Sequence, residues 1–181
     1  MSGVPESSRP GGVDWELAAT LVVRAQQGDT LALSDLLDLV CPFVLMICRA
    51  IAGAGAEDAA QEALIVVFRR LGNLREPAAL RGWLRTVCTR EALRVTGDRN
   101  QPTLDLEQAG QLRAPGPAPE LYAAIVQALA GLPPEQRAVL VLHEVEGLHE
   151  AEIARLLAAP PGTVKSRLHR ARARFREAFT R

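Results

Sequence analysis

The chain is poor in aromatics: Phe, Trp and Tyr make up 4% of its 181 residues. β-Branched residues are also sparse beside Ala, Leu and Arg, so strand formers are scarce and an all-helical fold is expected. Three cysteines, Cys41, Cys48 and Cys88, sit in apolar surroundings. They are too few for a disulfide framework or a zinc site and read as small buried hydrophobes, so no metal and no cofactor is expected. No run approaches the ~18–20 apolar residues that cross a bilayer. The longest apolar stretch, around Val40–Ile47, contains Pro42. Residues Met1–Gly12 are rich in Ser, Gly and Pro without an apolar segment. Nothing there suggests export, and a cytoplasmic location is expected. Enzyme signatures are missing too. There is no nucleophile–base pair, and Gly53-Ala54-Gly55 lacks the lysine and strand context of a phosphate-binding loop. The chain reads as a non-enzyme.

What is present is order in the charge. The formal net charge is zero, from 21 basic and 21 acidic residues. Residues 1–65 hold three Arg against nine acids, and residues 66–99 hold eight Arg against three. Residues 100–162 return to three Arg against eight acids, and residues 163–181 carry one Lys and six Arg against Glu177. Two basic blocks in acidic surroundings attract phosphate, while the acidic blocks repel nucleic acid and suit a basic partner.

Periodicity divides the chain in two. Asp14 is positioned to cap a helix through Leu17, Leu21 and Val22, with Gly28 closing it. Asp29 can cap a second, with Leu33, Leu36, Leu37, Val40, Val44 and Ile47 at helical spacing. A third helix is predicted from about Glu57, its inward stripe being Ala60, Leu64, Val67, Phe68 and Leu71. After the loop Asn73–Pro77, a fourth runs from about Ala78 to Val95 with Leu80, Trp83, Leu84 and Val87 inward. Gly97–Pro119, with Pro, Gly and Gln and no period, reads as a flexible linker. Helices resume at Glu120 (Leu121, Ile125, Val126 and Leu129 inward), at Glu135–Glu146, at Glu150–Leu157 and at Thr163–Phe179. The expectation is two small all-α domains, 14–96 and 120–181, joined by the linker 97–119.

The last two helices and their turn form a helix-turn-helix. Val164, Leu168, Ala171 and Phe175 make one apolar stripe of the final helix, and Thr163 is placed to cap it. The other face presents Lys165, Ser166, Arg167, His169 and Arg170, a set suited to base edges and phosphates in the major groove. Arg172, Arg174 and Arg176 continue toward the C-terminus, where phosphate contact is the better fit.

The run Gly162-Thr163-Val164-Lys165-Ser166-Arg167-Leu168 with Arg170-Ala171-Arg172, together with Leu132-Pro133, Arg137, Leu140, Gly147 and Glu152-Ile153-Ala154, resembles the promoter-binding domain of bacterial sigma factors of the extracytoplasmic-function type. Glu57-Asp58, Gln61-Glu62 and Phe68, followed by Trp83-Leu84, resemble the second conserved region of the same family. Ala158 departs from the pattern, standing where the turn usually carries Gly. The resemblance implies a promoter-specificity subunit of RNA polymerase that recognises −35 and −10 elements and helps open the duplex. It implies that Thr163, Lys165, Ser166, Arg167, His169 and Arg170 read the −35 element. It implies that Asn73 and Arg75 of the loop capture an unstacked −10 base while Arg81, Arg85, Arg90 and Arg94 bind phosphates. Asp58, Gln61 and Glu62 would dock on core RNA polymerase. The partners are then core polymerase, promoter DNA and the anti-sigma factor that commonly holds such proteins. The alternative is a stand-alone helix-turn-helix regulator that binds operator DNA without polymerase.

Overall fold

A computed structural model describes residues 12–98 and 119–179. Most of the expected linker, and the first eleven residues, lie outside the described residues. Within them the secondary structure is helical: α1 (Trp15–Gln26), α2 (Thr30–Ala52), α3 (Ala56–Arg70), α4 (Leu80–Asp98), α5 (Pro119–Ala130), α6 (Pro134–Glu144), α7 (Glu150–Leu157) and α8 (Pro161–Phe179). Single 3-10 turns follow α2 and α3 and precede α4.

The local signals act as expected at the first two helix starts. The Asp14 carboxylate accepts from the backbone N–H groups of Glu16 and Leu17, and Asp29 accepts from that of Ala32. The Ala32 bond, then the Arg24 guanidinium 2.6 Å away, hold the Asp29 carboxyl below its ordinary pKa. α2 is the axis of the first domain. Leu36, Val40, Val44, Ile47 and Ile51 are fully buried among α1, α3 and α4. Pro42 does not interrupt the helix. One expectation is corrected here: the helical stretch Thr30–Asn73 contains a window, mean hydropathy 2.1, long and apolar enough to cross a bilayer. In this fold the apolar face of α2 packs against helices. Cys48 and Cys88 are buried in the same core, where contact with Cys48 and burial push the Cys88 thiol well up.

The α2–α3 corner is tight. Gly53 takes a positive φ of 59°, and a Cβ on Gly55 would lie 2.6 Å from Val95 Cγ1 of α4. Gly55→Ala should therefore cost about 1–3 kcal/mol through overpacking. Val95→Ala in the same chain should recover part of it; urea unfolding of the single and double variants checks both.

Three inward assignments are corrected. Phe68 is 62% exposed, Val67 being the residue that enters the core, and Leu121 is 44% exposed while Ala128 is a buried position among the described residues of α5. Trp83 is partly buried against the first core rather than within it. α4 also continues through Gly97 to Asp98, past the expected linker start.

The second domain is built on α5–α8. Leu132, Val139, Leu140, Leu142, Ile153, Val164, Leu168 and Ala171 form its core. α6 is buried on more than one side: Val139, Leu140 and Leu142 join this core, while Ala138 and Val141 join the core of the first domain. The two domains are packed together through α6 against α2 and α4.

Candidate nucleic-acid interfaces

The helix-turn-helix is assembled by two caps. Glu152 accepts from the His149 backbone N–H at 2.8 Å, closing the start of α7. Ala158 ends α7 in the left-handed region, φ 50°, its N–H directed to the Ala154 and Arg155 carbonyls. A Cβ is unfavourable there, so Ala158→Gly should raise stability by about 1 kcal/mol, seen as a higher denaturant midpoint at unchanged slope. α8 begins at Pro161, two residues before the expected start. Thr163 is thus inside the first turn, its N–H bonded to the Pro160 carbonyl, and is not the cap.

That start sets the face of α8. Val164, Leu168 and Ala171 are buried against α5, α6 and α7. Lys165, Ser166, His169 and Arg170 are exposed, and Thr163 and Arg167 are half-buried at the edge. Arg170 Nε donates to the Ser166 carbonyl at 3.2 Å, laying its guanidinium along the helix. Arg167 is held by Glu135 of α6, 2.5 Å away. Further along, Arg172 is tied back to the domain: it donates to Glu144 at 2.6 Å and meets His143 Nδ1 at 3.2 Å. That guanidinium keeps the Glu144 carboxyl below its ordinary value. The six residues assigned to −35 reading therefore lie together along the first half of α8.

The residues assigned to −10 DNA are spread over two elements. Asn73 and Arg75 are exposed on the loop after α3. The loop is pinned by Gln26, whose Nε2 donates to the Leu71 and Leu74 carbonyls, both at 2.8 Å. Arg90 and Arg94 are exposed on α4, Arg94 bridging Glu91 at 2.7 Å and Glu62 at 3.8 Å. Arg81 and Arg85 differ. Arg85 Nε lies 2.8 Å and Arg81 3.6 Å from Glu146, just beyond α6 in the second domain. Arg81 also lies over the Trp15 ring at 5.7 Å, and Trp15 meets Phe43 edge-on.

Asp58, Gln61 and Glu62 are exposed on α3, opposite buried Ala59, Ala60 and Ala63. Glu62 faces Arg94, so the acidic ridge and the basic face of α4 meet at one edge.

Sequence reasoning missed Glu135, Glu146 and Gln26, and it took Arg137 only as part of a pattern. Arg137 is 3% exposed. Its Nη1 donates to the Ile51 carbonyl of the first domain at 3.0 Å, and its Nη2 donates to Ala130 and Leu132. Burial pulls its pKa down. An arginine beside the apolar run Ala138–Leu142 was the available signal for it. Glu135, Glu146 and Gln26 carry no such mark, because their partners are distant in sequence.

Residues 36–114 match the family Sigma-70 region 2, and residues 122–175 match Sigma-70, region 4. The chain is 37% identical over 131 residues to the ECF RNA polymerase sigma factor SigE of Mycolicibacterium smegmatis, covering 67% of this chain and 51% of that one. Against the RNA polymerase sigma-H factor of Pseudomonas aeruginosa the identity is 36% over 171 residues, covering 84% and 88%. The fold is like that of the sigma factor RpoE of Bartonella quintana, solved in complex with the anti-sigma factor NepR: TM-score 0.57, 22% identity, 82% of this chain and 96% of that chain covered. The chain spans about half the length of the Mycolicibacterium relative.

Proposed function

The chain belongs to the family of extracytoplasmic-function RNA polymerase sigma factors, and from that premise we propose that it is a dissociable promoter-specificity subunit. It binds core RNA polymerase in the cytoplasm, reads the −35 element as duplex through α8, and holds single-stranded −10 DNA through the loop after α3 and the arginines of α4. Catalysis of RNA synthesis belongs to the polymerase, and no catalytic step is assigned to this chain. The observation that carries the reading is the exposed Lys165, Ser166, His169 and Arg170 on a helix whose opposite face, Val164, Leu168 and Ala171, is docked in the domain. A helix held this way enters a major groove with its N-terminal half leading.

The rest of the surface fits the same division of labour. Asp58, Gln61 and Glu62 offer an acidic and polar ridge to a basic partner, which we assign to core polymerase. Arg75, Arg90 and Arg94 supply phosphate contacts whose strength falls steeply with salt. The control partner is an anti-sigma factor, as the Bartonella relative has one. In vitro transcription with core polymerase on a genomic promoter library, with start sites mapped with and without this protein, tests the reading. New promoter-specific starts that require the protein support it. Tight operator binding without polymerase, and no new starts, would establish the stand-alone regulator instead.

A further inference from the structure

The chain between α3 and α4 is built from two short turns. The 3-10 turns Leu71–Asn73 and Pro77–Ala79 bracket Leu74, Arg75 and Glu76. Each is closed by a backbone bond, Leu74 N–H to the Leu71 carbonyl at 3.0 Å and Ala79 N–H to the Glu76 carbonyl at 2.9 Å. α1 braces this loop from the side, packing against both turns. Gln26, the last residue of α1, directs both N–H donors of its carboxamide to the loop. Its Nε2 lies 2.8 Å from the Leu71 carbonyl and 2.8 Å from that of Leu74. Those carbonyls stand on either side of Gly72 and Asn73, so the tether fixes the peptide units that carry Asn73 and lead into Arg75. Leu71 is buried and Leu74 half-buried against the first core, whereas Asn73 and Arg75 are exposed. Gln26 is placed by its own helix. Ala18, Leu21 and Val22 bury one side of α1, and Arg24 bridges Asp29 at 2.6 Å where the chain turns into α2 through Gly28, φ 94°.

We infer that Gln26 is the positioning residue of this loop: its carboxamide holds the Leu71 and Leu74 carbonyls so that Asn73 and Arg75 meet an unstacked −10 base in one fixed geometry. The inference rests on the reading that the loop captures such a base, and it names what sets the loop's discrimination. A loop that must be ordered by its ligand loses the same conformational entropy whichever base arrives. A loop ordered beforehand presents its polar groups at fixed positions. A base that fits then gains the full set of contacts, and one that does not leaves them unpaired. The chemistry needed at position 26 is narrow, because two carbonyls must receive donors from one side chain. Glutamate of the same length turns acceptor oxygens toward both carbonyls, and methionine offers no donor. Lysine, with three N–H donors, restores donation.

The test uses the full chain assembled with core polymerase on a promoter found by start-site mapping, with each of the four bases placed in turn at every −10 position. The quantity read is the ratio of transcription between the best and the worst base at the captured position, at saturating protein. Gln26→Met and Gln26→Glu should each compress that ratio by about fivefold or more, the factor that two ordinary hydrogen bonds represent at the low end of their range. Gln26→Lys should keep most of the ratio. Gln27→Met, the same loss on the exposed neighbour, should keep all of it. The response to −35 substitutions should not move in any of these variants. Amide hydrogen exchange of the free chain reads the tether without DNA. The Leu74 N–H should exchange about fivefold or more faster in Gln26→Met and Gln26→Glu, on the same scale, with α2 unchanged. An undiminished ratio in both variants would overturn the inference. So would a fall in transcription that is equal for all four bases, which marks a merely structural role, or unchanged exchange at Leu74. Asn73→Ala with Arg75→Ala reports on the underlying reading separately: a ratio that survives their loss removes the loop from −10 recognition, whatever the Gln26 variants do.

Discussion

Replacing Lys165, Arg167 and Arg170 together by alanine should reduce transcription from promoters with a −35 element by a hundredfold or more. On the proposed reading each such side chain supplies a base-edge or phosphate contact of roughly 1–3 kcal/mol. Three contacts at the low end already sum to about 3 kcal/mol, which exceeds a factor of 100. The substitution should leave the fold intact, since α8 is anchored by Val164, Leu168 and Ala171, which are untouched. Competition with another sigma subunit for core polymerase should also be unchanged, because Asp58, Gln61 and Glu62, which we assign to the polymerase, lie on the other domain. The two measurements together separate a DNA-reading defect from an assembly defect. Equal transcription by the triple variant and the wild type would mean that α8 does not read the promoter. Within this set Arg167 has a particular position: its guanidinium is held by Glu135 at the helix edge, so Glu135→Gln should free it and modestly strengthen phosphate binding.

The largest structural effect is expected at Arg137. Arg137→Met keeps the length and removes the guanidinium, leaving the carbonyls of Ile51, Ala130 and Leu132 without the donors they have now. Hydrogen bonds from a charged donor contribute about 1.5–3 kcal/mol each, and unpaired buried carbonyls add a desolvation cost. Because the arginine's own burial penalty disappears with it, the net loss should be about 3–5 kcal/mol. For a chain of this size that lowers the melting temperature by roughly 10 °C. Arg137→Lys should recover little of it, since one ammonium cannot reach three carbonyls in the planar geometry the guanidinium offers. A melting temperature within about 2 °C of wild type for Arg137→Met, on the same scale, would show that these bonds contribute little.

Arg137 also marks the boundary between what the residues reveal in order along the chain and what they reveal only when folded. The helices were legible because their causes are local. Asp14 and Asp29 cap the segments they precede, and apolar residues three and four apart define one side of each helix. The exposed basic face of α8 was legible for the same reason: Val164, Leu168 and Ala171 mark the buried side, so Lys165, Ser166, His169 and Arg170 must lie elsewhere. Periodicity erred where two neighbouring residues compete for one face, as with Val67 and Phe68. It erred too where a proline pair shifts a helix start, as at Pro161 before Thr163.

By itself, then, the chain's order of residues determined its helical class, its division into two modules, the family it belongs to and the basic helix that would meet DNA, because each follows from contacts within a few turns. Only the tertiary structure decided that α6 is shared between two cores, that Arg137 spans them, and that Glu146 sits against Arg81 and Arg85. Those pairs are 61–86 residues apart or nearly so, and a charge's partner at that separation is chosen by how domains pack, not by spacing along a helix.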